Sequence, residues 1–143
     1  MTVAAILARK GRDVLTVPAD TIIHDAVRLL SERRIGAVVV ADSSRRIEGI
    51  VSERDIVRAI ARGGVETLDG PVSSIMTARV VTCADHDTIN DVMARMTEGR
   101  FRHLPVVDGG RIAGIVSIGD VVKARIEQVE READEMRAYI AMA

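Results

Sequence analysis

Two segments of the chain carry apolar residues at the spacing of an amphipathic helix, close to one turn in 3.6 residues. These segments are residues 23–33 and 89–99. An Asp-Thr pair precedes each of them, Asp20-Thr21 and Asp87-Thr88, and one member of each pair is expected to be the helix N-cap. The pattern predicts two helices whose inward faces are formed by Ile23, Ala26, Val27, Leu29, Leu30, Ile89, Val92, Met93 and Met96.

Runs of β-branched residues follow each predicted helix and indicate paired strands. Residues 37–41 pair with 47–52, and residues 104–107 pair with 112–117. Asp108-Gly109-Gly110 favours a tight turn in the second pair. The runs are apolar without alternation, which is typical of strands covered on both faces.

The two halves of the chain are similar to each other over their whole length. A shift of about 66 residues superimposes Val14–Val17 on Val80–Cys83 and Gly49–Ser52 on Gly114–Ser117. Short strands near the start of each half and a last helix, beginning near Asp55 and near Asp120, complete the unit. Matches in the same order indicate a duplicated β-α-β-β-α unit.

The repeated motifs resemble those of the CBS family, named for cystathionine β-synthase. Each unit ends in Gly-Ile-Val-Ser-x-x-Asp, opens on Val-x-Thr, and in the second copy contains Leu-Pro-Val-Val-Asp. The resemblance covers roughly residues 3–125, and residues 72–77 resemble the short helix that often precedes a CBS strand. It implies an α/β (α+β) fold of two repeats packed sheet against sheet about a pseudo-twofold axis. It also implies two clefts for AMP, ADP, ATP, NAD or S-adenosylmethionine, and frequent assembly into homodimers.

We expect three parts along the chain. Residues 1–66 hold the first repeat with an N-terminal helix, residues 67–126 hold the linker and the second repeat, and residues 127–143 extend the C-terminal helix.

The resemblance further implies that each cleft combines the opening and central strands of one repeat with the Ser-x-x-Asp of the other. Asp55 and Asp120 would accept hydrogen bonds from ribose hydroxyls, and each lies where a helix N-terminus favours anions. The first cleft is expected to hold Thr82, Cys83, Arg102, His103, Leu104, Ser52, Arg54 and Asp55. The second is expected to hold Thr16, Val17, Gly36, Ala37, Val38, Ser117 and Asp120.

The two clefts differ in their supply of cations for a phosphate. The first has Arg54 and Arg102, whereas the second has Gly119 and Gly36 at the corresponding positions. We therefore expect the first cleft to bind more tightly and the second to be empty or to take a nucleoside-like ligand. Two alternatives stay open: Asp55 and Asp120 are plain helix caps, and Arg102-His103 is a solvated surface pair.

Composition argues against several other classes of protein. Aromatic residues make up 1% of the chain and the net charge is −1, which disfavours nucleic acid as a partner. No apolar stretch is long enough to span a membrane, and we expect a cytoplasmic protein. The single Cys83 is expected to be a small buried hydrophobe rather than a reactive thiol. The three histidines and this cysteine have no metal-binding spacing, and His24 and His86 are expected at the surface.

The C-terminal segment has a heptad-like apolar stripe that continues beyond the repeat. Either this helix lies along its own domain or it packs against a second subunit, and we favour the second. The stripe consists of Val122, Ile126, Val129, Ala133, Met136 and Ile140.

The sequence thus predicts a regulatory module that binds an adenine nucleotide, forms a homodimer and signals to a separate target protein. No cofactor is required, and no nucleophile–base pair, P-loop or dinucleotide glycine motif indicates an enzyme. The alternative is a structural interaction dimer whose clefts are degenerate.

Overall fold

The computed structural model describes residues 1–142; residue 143, the end of the predicted C-terminal extension, lies outside the described residues. Five α-helices and five strands occur within residues 1–142, and the predicted α/β fold of two repeats is confirmed, with the full β-α-β-β-α unit in the first repeat and a shortened one in the second. The elements are α1 (Val3–Lys10), β1 (Thr16–Val17), α2 (Ile23–Arg33), β2 (Ala37–Ala41), β3 (Ile47–Ser52), α3 (Glu53–Gly63), 3₁₀ turns at Val65–Asp69 and Val72–Ser74, α4 (Ile89–Gly99), β4 (His103–Asp108), β5 (Arg111–Ser117) and α5 (Ile118–Met142).

The first repeat has a three-stranded sheet in the order β1-β2-β3, with β1 parallel to β2 and β2 antiparallel to β3. The second repeat has only the antiparallel pair β4-β5. Its expected opening strand near Val81 is reduced to a single parallel bridge between Cys83 and Val106. Pro105 stands where the first repeat has Val39, and a proline has no N–H to extend the ladder towards Val81.

The N-terminal helix α1 packs on the second repeat rather than on the first. Its N-terminus is fixed by backbone hydrogen bonds from Val3 N to Asp87 O (2.9 Å) and from Ala4 N to Asp85 O (3.0 Å). Leu7 is buried in the second-repeat core and lies against Gly114, where a Cβ would come within 2.8 Å of its Cδ1 atom. A side chain at position 114 would therefore push α1 away.

The linker between the repeats makes the corresponding contacts with the first repeat. Val72 N donates to Thr21 O (2.7 Å) and Ser73 N donates to Ala19 O (3.1 Å). The Met76 side chain lies against Gly49, where a Cβ would come within 2.5 Å of its sulfur. Each repeat is thus completed by the segment that precedes the other one in sequence.

The sheets of the two repeats meet along a small apolar cluster of their own. It contains Val39 and Ala41 of β2 and Ile112 of β5, with Ile47 and Ile115 packed against them. A backbone hydrogen bond from Ile112 N to Arg45 O (2.9 Å) joins the same edges. The expected sheet-against-sheet packing therefore positions the ends of both sheets around one central region.

The helix starts agree with the expected caps in one repeat and differ in the other. Thr88 caps α4 in a capping box with Asp91, as the sequence indicates. In the first repeat the cap position is Ile22, so the expected cap at Asp20 or Thr21 is wrong. The linker replaces a side-chain cap there, since Ile23 N donates to Gly70 O (2.9 Å).

Helix α5 continues without interruption past residue 126 and contacts its own chain through one side only. Val121 and Ala124 are buried against the second repeat, whereas the apolar stripe faces outwards. Exposure is 45% at Val122, 54% at Ile126 and 66% at Ile140. Residues 1–142 therefore leave this stripe exposed.

Truncation of Leu7 to alanine tests the role of α1. We expect Leu7→Ala to lower the free energy of unfolding by about 2–5 kcal/mol, because it leaves a cavity in a closely packed core. It should also speed the reaction of the Cys83 thiol with a disulfide reagent, since both residues belong to the same core cluster.

Leu30→Ala, in the first-repeat core, is the matched control. It should be similarly destabilising but should expose Cys83 less under native conditions. Equal labelling rates for the two variants at equal stability would contradict the coupling of α1 to the second repeat.

Candidate functional site

A cleft with a volume of about 520 Å³ lies between the two repeats. Its walls come from the end of β3 and the start of α3, from the chain that follows the linker, and from the α4–β4 connection. The lining residues are Gly36, Ala37, Ile50, Ser52, Glu53, Arg54, Asp55, Arg58, Thr77, Arg79, Val80, Val81, Gly99, Arg100, Phe101, Arg102 and His103.

Ser52 and Asp55 form a capping box at the start of α3, inside the cleft. Oδ2 of Asp55 accepts hydrogen bonds from Ser52 N (2.8 Å) and from Ser52 Oγ (3.0 Å), and Asp55 N donates to Ser52 Oγ (3.3 Å). The helix-cap alternative is therefore realised. It still leaves the second carboxylate oxygen without a protein partner among residues 1–142, and an ionised carboxylate has about four acceptor positions. Capping and ligand binding are compatible at Asp55.

Five arginines line this one cleft, and none has a carboxylate oxygen within 4.0 Å among residues 1–142. Opposing them are only Glu53 and Asp55. In a chain with a net charge of −1, this concentrates positive charge locally and favours an anionic ligand. The arginines are Arg54, Arg58, Arg79, Arg100 and Arg102.

Backbone features hold part of this charged wall in place. Arg100 ends α4 in the left-handed conformation (φ 56°), and its carbonyl accepts a hydrogen bond from Arg54 Nη1 (3.0 Å). Phe101 then lies over Gly99, where any side chain would overlap the phenyl ring. The cleft thus gains an apolar surface beside its cations, at a position that the sequence analysis did not assign.

His103 lies where the two repeats meet. Its ring is close to Gly36, where a Cβ would come within 3.0 Å of His103 Cε1. Burial, followed by the charge of Lys10, lowers the pKa of His103, while Glu53 and Asp120 act in the opposite direction. The imidazole is therefore predominantly neutral near pH 7 and adds no full charge to the cleft.

The structure brings together five of the eight residues expected in the first cleft: Ser52, Arg54, Asp55, Arg102 and His103. Cys83 and Leu104 are instead buried in the second-repeat core. Thr82 also lies outside the lining, and its carbonyl accepts a hydrogen bond from Arg95 (3.3 Å). Thr77, Arg79, Val80 and Val81 line the cleft in their place, because the chain first pairs with β4 at Cys83 and the residues before it stay at the cleft.

The residues expected in the second cleft do not line one cavity together. Gly36 and Ala37 line the first cleft, and Val17 and Val38 are buried in the first-repeat core. Thr16 is half-buried on β1. Ser117 and Asp120 repeat the cap geometry of the first repeat, with Ser117 N donating to Asp120 Oδ2 (2.9 Å).

The carboxylate of Asp120 already has a cationic partner in the chain. Lys10 Nζ lies 2.7 Å from Asp120 Oδ2. Burial raises the pKa of Asp120, but the hydrogen bond from Lys10 and the hydrogen bond from the Ser117 backbone outweigh it, and the pKa is lowered. Asp120 is therefore ionised at neutral pH and paired within the protein.

Cys83 behaves as a buried apolar residue. Burial, reinforced by the charge of Asp87, raises the pKa of its thiol to about 12. The thiolate needed for nucleophilic or redox chemistry is therefore scarce at neutral pH.

Metal-binding and membrane-spanning features are lacking in residues 1–142. No group of three or more His, Cys, Asp or Glu side chains is arranged there to hold a metal ion. None of the helices in that range combines the length and the apolar character required to span a bilayer.

The tandem repeats and the cleft between them define a class of protein: a pair of CBS-type repeats that encloses a ligand-sized cavity. The sequence profile described as "CBS domain" matches residues 4–62 and 72–127. The chain belongs to the CBS domain family.

Solved structures of other members have the same fold. A CBS-domain containing protein, ATU1752 from Agrobacterium tumefaciens, is 50% identical with a TM-score of 0.85, covering 87% of this chain and 99% of the other. The CBS domain protein PAE2072 from Pyrobaculum aerophilum, solved in complex with AMP, is 30% identical with a TM-score of 0.75, covering 84% and 89%. The CBS domain pair of protein MJ0100, in complex with 5′-methylthioadenosine and S-adenosyl-L-methionine, is 25% identical with a TM-score of 0.78, covering 87% and 98%.

Curated relatives include proteins of different length. The mitochondrial CBS domain-containing protein CBSX3 of Arabidopsis thaliana is 31% identical over an alignment of 147 positions, which covers 97% of this chain and 71% of the relative. The chain spans only 23% of CBSCBSPB1 from the same plant, at 31% identity over 127 residues.

An ion pair next to the opening segment of the second repeat makes stability depend on pH. Arg95 Nη1 lies 2.8 Å from Asp87 Oδ2, and this hydrogen bond, with one from the Ala84 backbone, lowers the pKa of Asp87. A lowered pKa contributes stability above the ordinary aspartate value of about 3.9 and loses it as the pH falls through the folded-state pKa. We expect Asp87→Asn to reduce the loss of stability between about pH 5 and pH 3, measured by urea unfolding.

Asp108→Asn, at an exposed strand end, is the matched control and should keep the wild-type dependence on pH. If both variants keep it, the pair with Arg95 does not contribute to acid sensitivity.

Proposed function

We propose that this protein is a regulatory module, without catalytic activity of its own, that binds an adenine nucleotide in the cleft between its repeats. The observation that carries the proposal is the convergence in one cavity of the Asp55 carboxylate, an apolar wall and five arginines that form no ion pair within residues 1–142. Binding there would bridge the two repeats and report nucleotide levels to a separate partner protein.

The three parts of an adenine nucleotide have matching surfaces in the cleft. Ile50, Val80 and Phe101 offer apolar contact to the base. The free oxygen of Asp55 would accept a hydrogen bond from a ribose hydroxyl. Arg102 and its neighbours would bind the phosphates by charge-assisted hydrogen bonds, for which the planar guanidinium is well suited.

The charge of the cleft favours some adenosyl ligands over others. PAE2072 was solved with AMP and MJ0100 with adenosyl ligands that carry no phosphate. S-adenosylmethionine carries a positive sulfonium, which five arginines repel, whereas AMP, ADP, ATP and NAD carry phosphates that they attract. We therefore assign the ligand to the phosphate-bearing class, with NAD included and S-adenosylmethionine excluded.

Two substitutions at equivalent positions test the site. Titration calorimetry of the full chain with AMP, ATP and NAD should give binding that Asp55→Asn weakens by about 10-fold or more, since a hydrogen bond to a charged group contributes about 1.5–3 kcal/mol. Asp120→Asn, which changes the equivalent carboxylate in the other repeat, should leave this binding within about twofold.

Arg102→Met should weaken binding of ATP more than binding of adenosine, because adenosine has no phosphate for the guanidinium to contact. Absence of binding of all three nucleotides at millimolar concentration would refute the proposed function. Binding of S-adenosylmethionine more tightly than AMP would refute the assignment of ligand class.

The exposed stripe of α5 favours a second part of the proposal, assembly into a homodimer. The apolar stripe extends from Val122 to Ile140 of the 25-residue helix and is not covered by the described chain. Charges of both signs flank it, at Lys123, Arg125, Glu130 and Glu132, so ion pairs between two copies of the helix can form beside the stripe. A second copy of this chain therefore fits the stripe in both polarity and charge.

The dimer proposal is tested by light scattering. We expect the full chain to be dimeric and a chain ending at Arg125 to be monomeric, because truncation removes the outer part of the stripe but keeps the buried Val121 and Ala124. Ile126→Glu should also give monomers, whereas Arg131→Glu, on the opposite face of the same helix, should remain dimeric. An unchanged dimer after truncation would show that another surface forms the interface.

A further inference from the structure

Lys10, the last residue of α1, reaches across to the second repeat. Its Nζ atom donates to Asp120 Oδ2 (2.7 Å) and to Ile115 O (3.0 Å). The lysine is 110 positions away from Asp120 in the sequence, and the packing of Leu7 against Gly114 brings the two together. The contact therefore depends on the packing of α1 against the second repeat, and no local sequence pattern predicts it.

The first repeat has no counterpart of this contact. Ile50, which corresponds to Ile115, has its carbonyl satisfied by the backbone N–H of Thr77 (2.9 Å) rather than by a side chain. Asp55, which corresponds to Asp120, has no cation within 4.0 Å in residues 1–142. The two carboxylates thus have the same cap geometry, but within residues 1–142 Asp120 has a cationic partner and Asp55 has none.

A difference in length between two equivalent segments explains why only the second repeat has this lysine contact. Val72 in the linker corresponds to Val3 in α1, and Met76 corresponds to Leu7, because they make matching backbone bonds and cover matching glycines. After Met76 the chain turns at once into its pairing with Ile50. After Leu7 the helix continues for three more residues and ends on Lys10.

We propose that Lys10 is an internal occupant of the second cleft, where its ammonium group takes the position at Asp120 that a ribose hydroxyl would need. This rests on the proposed function, since it assumes that the second cleft belongs to the same ligand class as the first. The consequence is binding of a single nucleotide per chain. A nucleotide entering the second cleft has to displace the lysine, and its apparent affinity is its intrinsic affinity multiplied by the fraction of chains in which the lysine is displaced.

The other side chains around the second cleft do not offset this loss. Arg54, Arg79 and Arg102 of the first cleft correspond to Gly119, Asp13 and Gly36, while Arg58 and Arg100 correspond to Lys123 and Arg34. Fewer cations therefore surround a phosphate there, and binding depends more on the contact of ribose with Asp120. Removal of Lys10 restores that contact, so a nucleoside-like ligand should then bind.

The experiment counts AMP molecules bound per chain by titration calorimetry and locates them by amide chemical shifts. The wild-type chain should bind about one AMP, with shifts at residues 100–103, and Lys10→Met should bind about two, with additional shifts at residues 117–120. Arg9→Met is the matched control. It removes the neighbouring ion pair with Glu127, which lies outside the cleft, and should keep the wild-type count.

Lys10→Gln provides a second uncharged variant should the methionine variant unfold, and Lys10→Met combined with Asp120→Asn should return the count to one. A count of two for the wild-type chain, or of one for both uncharged variants, would overturn the inference. A wild-type chain that binds no AMP beside a Lys10 variant that binds one at residues 117–120 would refute the proposed first site and leave the role of Lys10 intact. Failure of every variant to bind AMP would refute both.

Discussion

The crossed backbone contacts of α1 and the linker are the constraint on which the rest of the structure depends. Each of these segments hydrogen-bonds to the loop before a helix of the repeat that it does not precede, and each covers a glycine on that repeat's sheet. Neither repeat is complete alone, since the second-repeat core includes Val3 and Leu7 and the first-repeat core includes Val72. The cleft walls are therefore fixed relative to each other before any ligand arrives.

The two repeats have equivalent backbones around their Ser-x-x-Asp caps, but the side chains near the two caps differ. Both Ser-x-x-Asp segments fold into the same kind of cap, which is a local property of the sequence. Charge then separates them, because Arg54 and Arg102 have glycines as counterparts. A symmetric backbone thus carries an asymmetric distribution of charge around the two caps.

Much of the fold could be predicted from the sequence, because the elements follow from local periodicity. The bounds of β2 and β3 agree with the β-branched runs, and the hairpin turn at Gly109-Gly110 has the positive φ angles that its two glycines permit. The shortened opening strand was missed because Pro105 acts on a partner more than twenty residues away. The contribution of Arg79 and Phe101 to the cleft, and the contact of Lys10, arise from tertiary packing and have no local pattern.

Helix α5 connects the Ser117–Asp120 cap to the outer end of the molecule without interruption. It begins directly after Ser117, at the cap formed with Asp120, and its 25 residues extend for about 37 Å at 1.5 Å per residue. A tilt of about 5° at its first turn would move its last turn by about 3 Å, roughly the spacing that decides whether two side chains interlock. A small rotation of the first turn of α5, beside Lys10, would therefore be transmitted along the helix to the exposed stripe.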